Sequence, residues 1–346
     1  GATSGVTTNG NAFSLNVTGS TSQTAVINIG TNVLDLTGTG DFTLAGSSSG
    51  TGNTAGRLTA NVTGFVDYKN AGNLTLGNAG AGVTTTGFLT LNVAGTLGQD
   101  DPISANGLAL LGSGGAVTLG NPSNSVVTRA GSHSGGAVTY VDSGNLNLGT
   151  VDGLAGLAIG TTNTLTLTGT VPYIQQQSAN NQTLSPSTLA LSNSTVADIT
   201  GAGNLTVGST ITGAVNLIKD GTGTGKLILA GNNSGLTGGV FVNNGIAQAA
   251  NTNALGTDAT TVADGATLEL SGGISPANAI SVTGTGVGGA GALHNVNGSN
   301  TLSGTITEGG ATSIASDSGS TLSLNGDITG INANTSFAGA GNINAV

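Results

Sequence analysis

The side chains able to do chemistry are few in this sequence, and they are scattered. The 346-residue chain carries 5 Lys+Arg, 15 Asp+Glu and 2 His, with no Cys. His133 and His294 stand far apart in the sequence, and each reads as a surface or turn residue rather than half of one site. Asp100-Asp101 is the adjacent acidic pair, and Asp67-Tyr68-Lys69 and Lys219-Asp220 are the tight mixed-charge groups. Polysaccharide lyases and hydrolases gather carboxylates with a cation on neighbouring strands for metal binding or proton transfer. With 5 cations in all, such a groove is hard to assemble. Gly46-Ser47-Ser48-Ser49-Gly50 has the form of a nucleophile elbow but lacks the strand–turn–helix setting and a positioned His. Gly284-Thr285-Gly286-Val287-Gly288-Gly289 fits a dinucleotide fingerprint with no long helix after it. Gly221-Thr222-Gly223-Thr224-Gly225-Lys226 misses a phosphate loop at both ends, where Asp220 and Leu227 stand. No catalytic residue, cofactor-binding residue or metal ligand is assigned, and the expectation is a chain that is not an enzyme.

What would position any such residue is a repeated phrase. Two aliphatic residues flank one polar residue between Gly and Asn. Examples are Gly72-Asn73-Leu74-Thr75-Leu76-Gly77, Gly144-Asn145-Leu146-Asn147-Leu148-Gly149 and Gly203-Asn204-Leu205-Thr206-Val207-Gly208. Gly225-Lys226-Leu227-Ile228-Leu229 and Ser320-Thr321-Leu322-Ser323-Leu324-Asn325-Gly326 repeat it. Apolar residues at i and i+2 share one face of a strand, and Gly and Asn suit the turns between strands. Helix signals are almost absent, because Gly interrupts each window long enough to hold one. Leu146 to Leu165, Leu205 to Leu227 and Leu302 to Leu322 lie 19, 22 and 20 residues apart. Such spacing is too long for two-residue hairpins and too short for βαβ units. It predicts an all-β, elongated parallel β-helix, a β-solenoid of about 20 residues per coil.

Composition agrees. There are 63 Gly, aromatics are 3% and hydrophobic residues 36%, too few large side chains for one broad interior. A narrow column of Val, Leu, Ile and Ala is enough for stacked coils. The net charge of −10 disfavours nucleic acid and anionic lipid as partners. No stretch reads as a membrane span. The absence of Cys excludes disulfides and thiolate metal sites. The chain opens Gly1-Ala2-Thr3-Ser4 without an initiator Met and reads as a processed product or an excised piece. The segment from Pro172 to Pro186, with Tyr173-Ile174-Gln175-Gln176-Gln177, is the least regular and is expected to leave the coils near 172–186.

Two segments resemble known families. Residues 88–171 resemble the repeat region of filamentous-haemagglutinin-like exported adhesins. The matching phrases include Gly95-Thr96-Leu97-Gly98-Gln99, Ile103-Ser104-Ala105-Asn106-Gly107-Leu108-Ala109-Leu110 and Gly115-Ala116-Val117-Thr118-Leu119-Gly120-Asn121. Residues 215–256 resemble the passenger-associated repeat of autotransporters, through Leu217-Ile218-Lys219-Asp220-Gly221, Gly225-Lys226-Leu227-Ile228-Leu229-Ala230-Gly231-Asn232-Asn233 and Ala254-Leu255-Gly256. An aromatic residue often follows the Asn of that repeat, whereas Ser234 and Leu236 stand here. The resemblance implies a right-handed parallel β-helix displayed outside a bacterial cell, and it carries no catalytic residue across. It divides the chain into residues 1–214 and 215–346, the second continuing the first.

The functional expectation is a non-catalytic, extracellular structural solenoid, the shaft or repeat module of a bacterial surface adhesin. Alternatives are a self-assembling subunit of an extracellular filament or matrix fibre and a glycan-active or ice-binding β-helix. The Thr164-Leu165-Thr166-Leu167-Thr168 unit motivates ice binding, and Tyr68, Tyr140 and Tyr173 motivate glycan contact. Partners are then further copies of the chain or surface glycans. Sequons such as Asn16-Val17-Thr18 leave glycosylation open.

Overall fold

Alternating side chains and frequent turn residues leave this chain one economical way to bury its aliphatic groups: coil upon coil. The computed structural model describes residues 5–46, 50–112, 114–141, 146–159, 164–167, 172–330 and 334–345. About 54% of the chain is strand, arranged as a parallel β-solenoid of about 22 residues per turn. It divides into two compact units, Gly1–Leu165 and Thr166–Val346.

In the first unit, Phe42–Leu44, Val66–Asn70, Phe88–Val93 and Ile103–Gly112 lie in parallel register. Register places Leu44, Tyr68, Leu91 and Leu110 in one inward file, all buried. In the second unit, Leu205, Leu227, Ala247, Leu268, Leu293 and Ile314 form the equivalent file and are fully buried. Each aliphatic side chain so removed from water contributes roughly 1.5–3 kcal/mol. The file ends on Phe337, which pairs with Ile314 and is 51% exposed.

Corners explain the glycine and asparagine content. Gly19, Gly40, Gly64 and Gly87 stack at one corner, and a Cβ on Gly40 would collide with the Gly19 carbonyl. Side chains larger than hydrogen do not fit where one coil's backbone lies directly over the next. At other corners a buried Asn staples neighbouring coils. The side-chain oxygens of Asn53, Asn124 and Asn233 accept the amides of Ile27, Ile103 and Ile211 at 2.8 Å, and Asn300 accepts that of Ile274 at 2.7 Å. Each bond satisfies a backbone donor that the turn would otherwise leave unpaired.

The expected parallel β-solenoid stands, at about 22 residues per turn. Other expectations need correction. The segment 172–186 does not leave the coils: Tyr173–Gln176 and Gln182–Leu184 pair in parallel with Thr195–Ile199 and Leu205–Val207. Gln176 turns inward, fully buried, and its amide donates to the Ser178, Asn180 and Gly203 carbonyls, so a polar residue is housed at a corner. Tyr68, expected on the surface, is fully buried and its hydroxyl donates to Asn70 Oδ1 at 3.0 Å. At residues 214 and 215 the ladder is uninterrupted, since Thr195–Ile199 pairs with Leu217–Asp220 across that point.

Candidate functional site

Register in a parallel solenoid stacks outward side chains as well as inward ones, so residues one coil apart in sequence become neighbours. In the second unit one outward file runs Thr206, Ile228, Gln248, Glu269 and His294. Lys226 lies two residues before Ile228 on the same face. Its ammonium reaches two coils along to donate to both carboxylate oxygens of Glu269, each at 2.8 Å. Gln248, on the intervening coil, donates to Glu269 Oε2 at 2.7 Å. Beyond Glu269, His294 Nε2 lies 2.9 Å from Asp317 Oδ1.

Glu269 is the covered member of this file, with its side chain 5% exposed. The cover begins at Thr267, whose hydroxyl donates to the Gly291 carbonyl and accepts from the Val287 amide. Residues 284–291 thus fold onto the strand Thr267–Ser271 as a short loop with a 3-10 turn at Val287–Gly289. The dinucleotide-like motif is this loop. A carboxylate removed from water needs a counter-charge; Lys226 supplies it, and Gln248 adds a hydrogen bond.

The first unit carries a different arrangement. Its outward file is Thr43, Asp67, Thr90, Ala109 and Ala130. A hairpin, Thr150–Val151 with Leu154–Ala155, lies over it; among the described residues these are the antiparallel strands in an otherwise parallel ladder. Asp152 and Gly153 at its tip have φ of 50° and 76°, the left-handed pair that a tight two-residue hairpin requires. Val151 is buried against Ala109 and Ala130, with Phe88 and Leu154 beside it. Phe88 in turn stacks on Phe65, ring centres 4.6 Å apart. Thr90 Oγ1 donates to Asp152 Oδ2 at 2.9 Å. Burial, and then the nearby Asp152 charge, hold the Asp67 carboxyl above its ordinary range.

The other sequence-flagged groups are tied into corners. Lys219 is fully buried and donates to the carbonyls of Asp220 (2.6 Å), Asn244 (2.9 Å) and Gly221 (3.4 Å). Burial lowers its pKa to about 8, against the opposing pull of Asp220 and Asp198. Asp220 Oδ1 accepts from Asn244 at 2.7 Å. Asp100 pairs with Arg57 at 2.5 Å, and Asp101 accepts the Gly80 amide. His133 is buried, with Nε2 3.2 Å from the Gly115 carbonyl. The phosphate-loop-like segment is a corner in which the Lys226 amide donates to Asn204 Oδ1. Ser47–Ser49 of the elbow-like motif and Thr168 of the Thr-rich unit lie outside the described residues. An open cleft of about 250 Å³ is lined by Asp35, Thr59, Asn61 and Thr84, with Asp35 its one charged group. Asp35 there accepts hydroxyls of Ser14 and Thr59 from the coils on either side.

Sequence reading missed both outward files. The coil-length spacing of Gln248 and Glu269 was a usable signal for one. For the other, Asp152-Gly153 is a hairpin dipeptide inside a parallel pattern. Comparison with protein-family models, curated proteins and solved structures finds no match.

Proposed function

We propose that this chain is a non-catalytic structural module of an exported bacterial surface protein, a solenoid shaft of the adhesin type. One observation carries the reading: among the described residues, side chains able to do chemistry join neighbouring coils at several places. Lys219 holds carbonyls, Lys226 and Gln248 hold Glu269, His294 holds Asp317, and Asp35 bridges three successive coils. The resemblance of residues 88–171 and 215–256 to exported adhesin repeats supports a place outside the cell. A shaft needs resistance to pulling, and within each unit stacked coils supply it through parallel ladders and an aliphatic column.

Force spectroscopy on the purified chain tests this reading. Unravelling in increments of one coil is expected, about 70 Å of extension for each coil at roughly 3.3 Å per residue. A parallel assay with polysaccharide and ester substrates is expected to show no turnover. Saturable turnover abolished by Glu269→Gln or Asp67→Asn would overturn the proposal.

A further inference from the structure

The hairpin at 150–155 is joined to the first unit by contacts of two opposed kinds. Val151 fits a shallow groove whose floor is small: Ala109 and Ala130 are fully buried beneath it. Gly107 lies where any Cβ would press on the Val151 methyls. That fit holds the hairpin down. Its tip does the reverse: the Asp152 carboxylate accepts from Thr90, the residue paired with Asp67 on the adjacent strand, which brings two like charges together on a partly covered surface.

We propose that this hairpin is an acid-tightened strap, which seats in the Gly107–Ala109–Ala130 groove when Asp67 takes up a proton and loosens when Asp67 and Asp152 are both ionised.

Neighbouring charges do not relieve the clash. Lys69, two residues beyond Asp67 on the same strand, directs its ammonium to the Gly50 carbonyl. Asp41, at the edge of the preceding coil, accepts the Phe65 amide and the Ser20 hydroxyl. The strands Phe88–Val93 and Ile103–Gly112 beneath the hairpin carry no titratable side chain. On Ser125–His133 the buried Arg129 stacks on Tyr140 and His133 faces the Gly115 carbonyl. Thr90 donates one hydrogen bond to Asp152 and leaves Asp67 to the solvent proton. The sign follows from linkage. Asp67 is already partly buried, which raises its proton affinity, and seating the strap adds the Asp152 charge beside it, which raises it further. The seated state therefore binds the proton more tightly than the free one. Seating is favoured as pH falls through the raised value and weakened as pH rises above it.

Methyl-detected NMR of the whole chain tests this, using the Val151–Ala130 contact to report the strap and the Leu91–Leu110 contact to report the coils. Between about pH 7 and about pH 4 the seated-to-free ratio is expected to rise several-fold, at most about tenfold per pH unit for one proton. The coil contact should stay constant. Asp67→Asn and Asp152→Asn should each hold the strap seated at both pH values. If either variant misfolds, the wild-type comparison of the two contacts still decides. A strap contact unchanged with pH, or one that weakens on acidification while the coil contact persists, would overturn the proposal.

Discussion

The two units cover an outward carboxylate in opposite ways. In the unit spanning Thr166–Val346, the loop at 284–291 lies on the strand that carries Glu269, and Lys226 with Gln248 meets the covered charge. In the unit spanning Gly1–Leu165, the hairpin at 150–155 brings a second carboxylate toward Asp67. Both coverings use a short excursion from a coil and a hydroxyl beneath it, Thr267 in one and Thr90 in the other. The difference is the sign of the partner. A covered carboxylate with a lysine is stable at neutral pH, whereas one facing another carboxylate waits for a proton. The same scaffold thus provides a permanent cover and a conditional one.

The sharpest way to break this contrast is to turn the second unit's site into the first's. Lys226→Met leaves Glu269 covered without its cation. Because Lys226 is about one-third exposed, the loss should sit near the low end for such pairs, about 3 kcal/mol by denaturant titration. Adding Glu269→Gln should recover most of it; no recovery would mean that the lysine acts through packing alone. Next in size, Asn233→Ala and Asn53→Ala should each cost about 2 kcal/mol by orphaning a corner amide, and to the same extent in both units. Unequal costs would show that the units differ in more than their charge partners.

Lys219 sharpens the comparison through pH. Its pKa falls from 10.5 to about 8 on burial, so the unfolded chain binds the proton more tightly in that interval. Stability of the second unit should therefore rise as pH passes from about 8 toward 10.5, by at most about 1.4 kcal/mol per pH unit. Lys219→Met should flatten that slope. Smallest of all, His294→Ala should change stability by less than about 1 kcal/mol, since Asp317 is half exposed.

The repeated phrase made the architecture legible. Leu74–Leu76, Leu205–Val207, Lys226–Leu229 and Thr321–Leu324 are strands where the Gly/Asn-bracketed aliphatics stood. Less legible was any polar residue housed inside. Gln176 and Tyr68 read as loop or surface because their chemistry favours water, yet each finds its hydrogen bonds at a corner. The pairing of Lys226 with Glu269 was hidden by distance, two coils along a file that only register creates. The approach of Asp152 to Asp67 follows no coil period at all, because the hairpin crosses the coils from outside. A boundary at 214/215 came from where one resemblance starts, and backbone pairing takes no notice of it.

Register is the claim on which both coverings rest, and the absence of Cys allows it to be tested without background. Thr206 and Ile228 are paired neighbours on adjacent coils of the second unit, and Gln248 lies one coil further along the same file. Mild oxidation of a Thr206→Cys/Ile228→Cys variant should give a rapid intramolecular disulfide, and Thr206→Cys/Gln248→Cys should give none, being two coil rises apart, about 10 Å. Preferential cross-linking of the second variant, or none in the first, would contradict the stacked parallel arrangement.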